Sequence, residues 1–129
     1  MTQLTFVHIS EDGFFADDKK LNIIGIFDQL WTEGFPAVHP RFAVITGMTG
    51  DIGTYEQWIE IFKPTGELLI KSTVSKISLT FNGQVGHCIS KFLNIAFPDE
   101  GVYRFTVKID GTQVGESILK VNKLNAQRV

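Results

Sequence analysis

Only one cysteine, Cys88, occurs in the 129 residues, so no internal disulfide can form, and a lone thiol suits a reducing compartment. The start, Met1-Thr2-Gln3-Leu4, lacks the basic region and the apolar run of a secretory signal. No uninterrupted apolar stretch approaches the roughly 18 residues a spanning helix needs, so no membrane contact is expected and the reading is a cytoplasmic protein. Neither sign of charge dominates. Twelve Lys and Arg against fourteen Asp and Glu give a net charge of −2, which argues against general nucleic-acid binding. Helical periodicity, internal repeats and linker-like stretches are all missing.

What is present favours sheet. Eleven phenylalanines and many β-branched residues suit strands, and 43% hydrophobic against 20% charged content is ordinary for a folded domain. Turn signals recur about every 8–12 residues, the spacing of a single sandwich of about seven to nine strands. The expected organisation is one β-sandwich domain over residues 1–123 and a C-terminal tail over 124–129. The acidic and basic residues are unevenly spread. Residues 1–62 hold nine Asp and Glu against three Lys and Arg, and residues 63–129 hold five against nine. Because a sandwich interleaves its strands, scattered solvated charge is the expectation.

The stretch that organises the chain is Pro98 to Ile109 with its return through Asp110-Gly111 to Val121. Tyr103, Phe105, Val107 and Ile109 fall on one strand face, and Val102, Arg104, Thr106 and Lys108 on the other. Asp-Gly between two such runs signals a hairpin. A plain two-residue turn would place Glu116 opposite Phe105 and leave Leu119 and Val121 pointing away from the aromatic face. A bulge near Gly115, or a longer turn through Thr112, would bring Ser117, Leu119 and Val121 onto the Tyr103/Phe105 side.

Elsewhere the expected elements are a strand over Leu4–Ile9, a polar loop over Ser10–Lys20, and a central strand over Asn22–Trp31 covered on both faces. They continue with a loop over Thr32–Pro40, strands over Arg41–Met48 and Glu56–Lys63, an edge-like extended run over Leu68–Leu79, and a strand over Ser90–Phe97.

Asp99-x-Gly101-x-Tyr103 resembles the corner at which strand E passes into strand F in immunoglobulin-like sandwiches, where the tyrosine hydroxyl bonds back to the backbone. Two residues on, where antibody-type domains carry a disulfide cysteine, stands Phe105, so the resemblance implies a disulfide-free relative. Asn22 to Phe27, Lys63 to Leu68 and Gly101 to Phe105 are similar to an uncharacterised family of short bacterial and phage all-β proteins. That similarity implies a fold and no established activity.

Chemistry is hard to assemble from these residues. His87 and Cys88 are neighbours in an extended segment and point to opposite faces, so they cannot form a base–nucleophile pair. His8, His39 and His87 show no metal-ligand spacing. Glu11, Asp12, Asp17 and Asp18 around Phe14-Phe15 match no calcium loop and read as a solvated loop. Gly47 to Gly53 lacks the Lys-Ser/Thr and helix start of a phosphate cradle. No cofactor, metal or catalytic group is expected.

The least bland stretch is Glu56 to Phe62. Trp58 and Phe62 share one face and Ile59 and Ile61 the other, and a two-layer sandwich buries only one of them. Either a loop bearing Phe14-Phe15 or Phe35 covers the outward pair, or a partner does. The candidate interaction surface is therefore Trp58, Ile59, Phe62, Phe14, Phe15 and Phe35. The expected function is a non-catalytic binding module for a protein partner or for itself, as a two-fold homodimer. The alternative is a protein that binds or sequesters a small ligand or nucleotide, in a phage setting.

Overall fold

The structure, a computed structural model, describes residues 2–124 and is built of ten strands, with no helix among them. β1 (Gln3–Phe15), β2 (Leu21–Ile26), β4 (Ala37–Thr49) and β8 (Gly86–Phe97) form one sheet in the order β2-β1-β4-β8. The second sheet runs β3-β10-β9-β5-β6, from β3 (Gln29–Thr32), β10 (Thr112–Lys123), β9 (Gly101–Ile109), β5 (Gly53–Phe62) and β6 (Leu68–Lys71). β7 (Ser75–Leu79) carries on along the β6 side of β5. All pairings are antiparallel except β3 with β10. Neighbours β1-β4-β8 and β5-β9-β10 repeat the A-B-E and C-F-G adjacencies of an immunoglobulin-like sandwich.

The E–F corner is built as the motif implies. Tyr103 is 0% exposed, its hydroxyl donates to the Asp99 carbonyl at 2.7 Å, and it accepts the Asp99 N–H at 3.0 Å. Burial pushes the Tyr103 phenol up from its ordinary range. Tyr103→Phe keeps the ring but strands both Asp99 groups, so it should cost about 1–2 kcal/mol. A urea midpoint identical to wild type would contradict that role for the hydroxyl.

The β9–β10 hairpin takes the bulged of its two expected forms. Ile109 faces Thr112 across a two-residue turn, with φ of 49° at Asp110 and 86° at Gly111, and the register then slips by one residue between Gln113 and Gly115. Ser117 thereby meets Phe105 and Leu119 meets Tyr103, and Leu119 and Val121 become fully buried. Both sheets contribute to the main core, with Phe42, Phe92 and Phe97 from one packing against Phe105, Tyr103 and Ile59 from the other. A smaller cluster of Met48, Ile77, Leu79, Cys88 and Ile109 fills the other end. Between them Gln57 and Thr46, 1% and 0% exposed, join the two sheets by a reciprocal pair of hydrogen bonds of 2.9 and 3.1 Å.

Three expected elements are corrected. Ser10–Lys20 is not a loop throughout, because β1 continues to Phe15 and turns only at Ala16–Lys20. Asn22–Trp31 is not one central strand. It is two short edge strands, β2 in the first sheet and β3 in the second, parted at Phe27-Asp28. Of its apolar residues, Phe27 and Leu30, one from each face of the expected strand, pack on the core, while Ile24, Ile26 and Trp31 stay exposed. The expected loop over Thr32–Pro40 yields its end to β4, which begins at Ala37. Of the expected tail, Leu124 donates its N–H to the Thr32 carbonyl at 2.7 Å, and residues 125–129 lie outside the described residues.

Candidate functional site

A sandwich has two outer faces, and here the chain itself covers part of one, around Ile45, while Leu93 on the same face stays exposed. Ile45 on β4 points away from the inner face that Val44 joins, yet both are 0% exposed. The β1–β2 hairpin lies against it: a Cβ on Gly13 would collide with the Ile45 side chain. Asp12 pins the hairpin there, its Oδ1 3.6 Å from the Lys91 ammonium on β8. The Gly13 N–H, bonded to the same carboxyl at 2.8 Å, and then Lys91 and Arg41 hold Asp12 below the usual carboxylate range.

Among the described residues the outer face of the second sheet has no such lid. Along β5 the alternation decides the outward set: Gln57, Ile59 and Ile61 are buried, and Trp58, Glu60 and Phe62 face out, each partly buried. Strand register extends this face into rows. Leu68, Phe62, Arg104 and Ile118 stand side by side across β6, β5, β9 and β10. The next row is Lys71, Glu60, Thr106 and Glu116, and the next sets Trp58 beside Lys108. On the far side of the apolar row, Val102 stands beside Lys120. Leu68, Ile118 and Val102 are 50%, 45% and 38% exposed. The rings are held in place: the Lys71 ammonium sits 4.5 Å from the Trp58 ring, the Arg104 guanidinium 5.4 Å from the Phe62 ring, and the Trp58 Nε1–H donates to Glu60 at 3.1 Å.

The residues singled out from the sequence therefore part into three places. Trp58 and Phe62 share the open face. Ile59 is wholly in the core and belongs to no surface. Phe14 and Phe15 end β1 in the other sheet, half-exposed beside Asn22 and Leu21, and Phe35 packs against the main core. None of the three is placed over Trp58. Sequence reasoning missed Leu68, Arg104, Lys108 and Ile118. The alternation of β9 placed Arg104 and Lys108 on the solvent side, but only the β9–β10 and β5–β9 registers bring them beside Phe62, Trp58 and Ile118.

The other residues singled out from the sequence lie apart from this face. His87 faces out against Phe6, on whose ring His8 also stacks, while Cys88 faces in, where burial raises its thiol pKa. Among the described residues no three His, Cys, Asp or Glu stand where they could hold a metal ion, and no helix is long and apolar enough to cross a membrane. A cleft of about 490 Å³ opens at the β9–β10 turn between Tyr55, Ile109, Gln113 and Val114. Three of its polar groups are engaged with the protein: Tyr55 donates to the Asp51 carbonyl, Asp110 accepts the Glu56 N–H, and Gln113 bonds Glu116, while Thr2, Gln3 and Thr112 also line it.

A family model matches residues 10–122, and its description is a family of unknown function (DUF6941). No curated protein matches the chain. Among solved structures, the alkylpurine DNA glycosylase AlkC of Pseudomonas fluorescens, bound to DNA containing an abasic site analog, superposes with a TM-score of 0.55 at 8% identity. That match covers 94% of this chain and 30% of the glycosylase, so the chain spans under a third of its length. The C-terminal domain of wzt gives 0.51 at 14% identity, covering 96% of this chain and 75% of that one. An immunoglobulin-like protein from Pseudomonas aeruginosa gives 0.48 at 12% identity, covering 95% and 97%. At such identities the first two are likenesses of fold alone.

Proposed function

The chain belongs to a family of unknown function, DUF6941, and from that premise we propose that it is a non-catalytic binding module whose contact surface for another protein is the open face of the second sheet. The observation that carries this reading is the row Leu68–Phe62–Arg104–Ile118, three large apolar side chains in line on a face that no loop among the described residues covers. Apolar groups lined up on an open sheet, with polar neighbours around them, suit a protein partner better than a small molecule, which needs a concavity. A different protein suits the face better than a second copy. Two-fold pairing would set this face, with its excess of cations over carboxylates, against an identical excess, and like net charge disfavours association.

The test replaces Leu68 and Ile118 by serine together. Both are about half exposed, so the fold should keep its melting temperature while proteins that co-purify with the wild type, identified by mass spectrometry, are lost. An unchanged set of bound proteins would overturn the reading. Light scattering at micromolar concentration should give the 14.4 kDa mass of a single chain, and twice that mass would make a second copy the partner.

A further inference from the structure

We infer that the partner presents an acidic, extended polypeptide segment to this face; the inference rests on the protein-binding reading above and adds the chemistry of what is bound. Four strands deliver five cations to the open face: Lys71 from β6, Lys76 from β7, Arg104 and Lys108 from β9, and Lys120 from β10. Three carboxylates, Glu56, Glu60 and Glu116, share it. Glu60 already accepts the Trp58 indole N–H and Glu116 the Gln113 amide. Arg104, Lys108 and Lys120 enter no ion pair among the described residues, whereas Lys20, Lys63 and Lys91 elsewhere each do.

The geometry also favours polypeptide over the other anionic polymer. Lys71 and Arg104 are seated over the Trp58 and Phe62 rings, which restricts their motion before any carboxylate arrives and lowers the ordering cost of binding one. Those same cations occupy ring faces on which nucleobases would have to stack. The interspersed carboxylates repel a continuous phosphate backbone, but they tolerate a chain whose charges are spaced by neutral residues. Arg104 and Lys108 stand about 13 Å apart along β9, four residues of strand, which is the spacing of side chains i and i+4 on one face of an extended ligand. Phe62 and Ile118 flank Arg104 and would receive apolar side chains of that segment.

The experiment follows backbone amide shifts of the full chain during titration with a short synthetic peptide that carries glutamate at every fourth position, leucine midway between and serine elsewhere, so that glutamate and leucine share one extended face. Parallel titrations use its glutamine counterpart and oligo(dT). The expected result is shifts confined to the Phe62, Arg104, Lys108 and Ile118 rows. Affinity should fall about tenfold or more with the glutamine peptide, or with Arg104→Ser/Lys108→Ser, and it should fall with added salt. Equal binding of the glutamine peptide at this face would overturn the acidic assignment and leave the protein-binding reading standing. Binding of oligo(dT) alone would overturn both. No shift on this face with either peptide would overturn the acidic assignment, while the Leu68/Ile118 variant separately decides the reading beneath it.

Discussion

Replacing Gln57 with alanine should cost the fold about 3–4 kcal/mol, a large share of the roughly 5–15 kcal/mol that holds a typical domain together. The loss has two parts. Truncation opens a void where a side chain only 1% exposed lay, and it strands the Thr46 hydroxyl, which has no other partner among the described residues, between two apolar clusters. Gln57→Leu keeps most of the volume and should isolate the second part at about 1–3 kcal/mol. Thr46→Val combined with Gln57→Leu removes both polar groups, so the double variant should lose clearly less than the sum of its singles. Urea denaturation of wild type, the two singles and the double reads this directly. Strictly additive losses would mean that the pair is not coupled.

Gly101→Ala should lower stability by about 2–4 kcal/mol, a fall in melting temperature of about 10 °C. Gly101 has φ of 140°, a region that residues with a side chain rarely enter, and an added Cβ would stand 2.7 Å from Cγ of Pro64. The Pro64 ring cannot swing aside as a long side chain would. Gly66, with φ of 94° and open space around it, supplies the control. Gly66→Ala should show the backbone cost without the collision, hence a smaller fall. Equal melting temperatures for the two variants would remove Pro64 from the explanation.

Sequence alone resolves the parts whose physics is local. Asp99, Gly101 and Tyr103 lie within five residues, and the corner follows from them. The Asp110-Gly111 turn and the misfit of Glu116 against Phe105 likewise require a bulge or a longer turn before any long-range contact is known. The region 10–32 is misread because apolar residues on both faces of a run suggest a covered strand. In fact the chain changes sheets at Phe27-Asp28, and each half lies at an edge, with Ile24 and Ile26 towards solvent. Nothing in a period of two reports which sheet a strand joins. The open face follows the same division. The outward position of Trp58 with Phe62 is one of two faces legible in β5, but its neighbours Arg104, Ile118 and Leu68 come from strands distant in sequence. The excess of cations after residue 62 is visible in the sequence, and the expectation of scattered charge fails because the strands from Leu68 onward that join the second sheet place Lys71, Lys76, Arg104, Lys108 and Lys120 on one side of it.

The order in which the strands are used bears on synthesis. Every strand of the first sheet has been made once Phe97 is added, and its apolar inner side is then complete. The second sheet at that moment has β5 with β6 and β7 but neither β9 nor β10, and β3 must wait for residues 120–123 before it has any ladder to join. A growing chain therefore carries Phe42, Phe92 and Phe97 without their opposing layer until the last quarter has emerged. Closing so many distant pairings at once is slow, and the unlidded half-sandwich is the species most prone to stick to other chains. The E–F corner lies at the junction between those two stages. Its Tyr103–Asp99 bonds can form as soon as Tyr103 has emerged, turning β9 out of the finished sheet and towards β5 before β10 has followed it out.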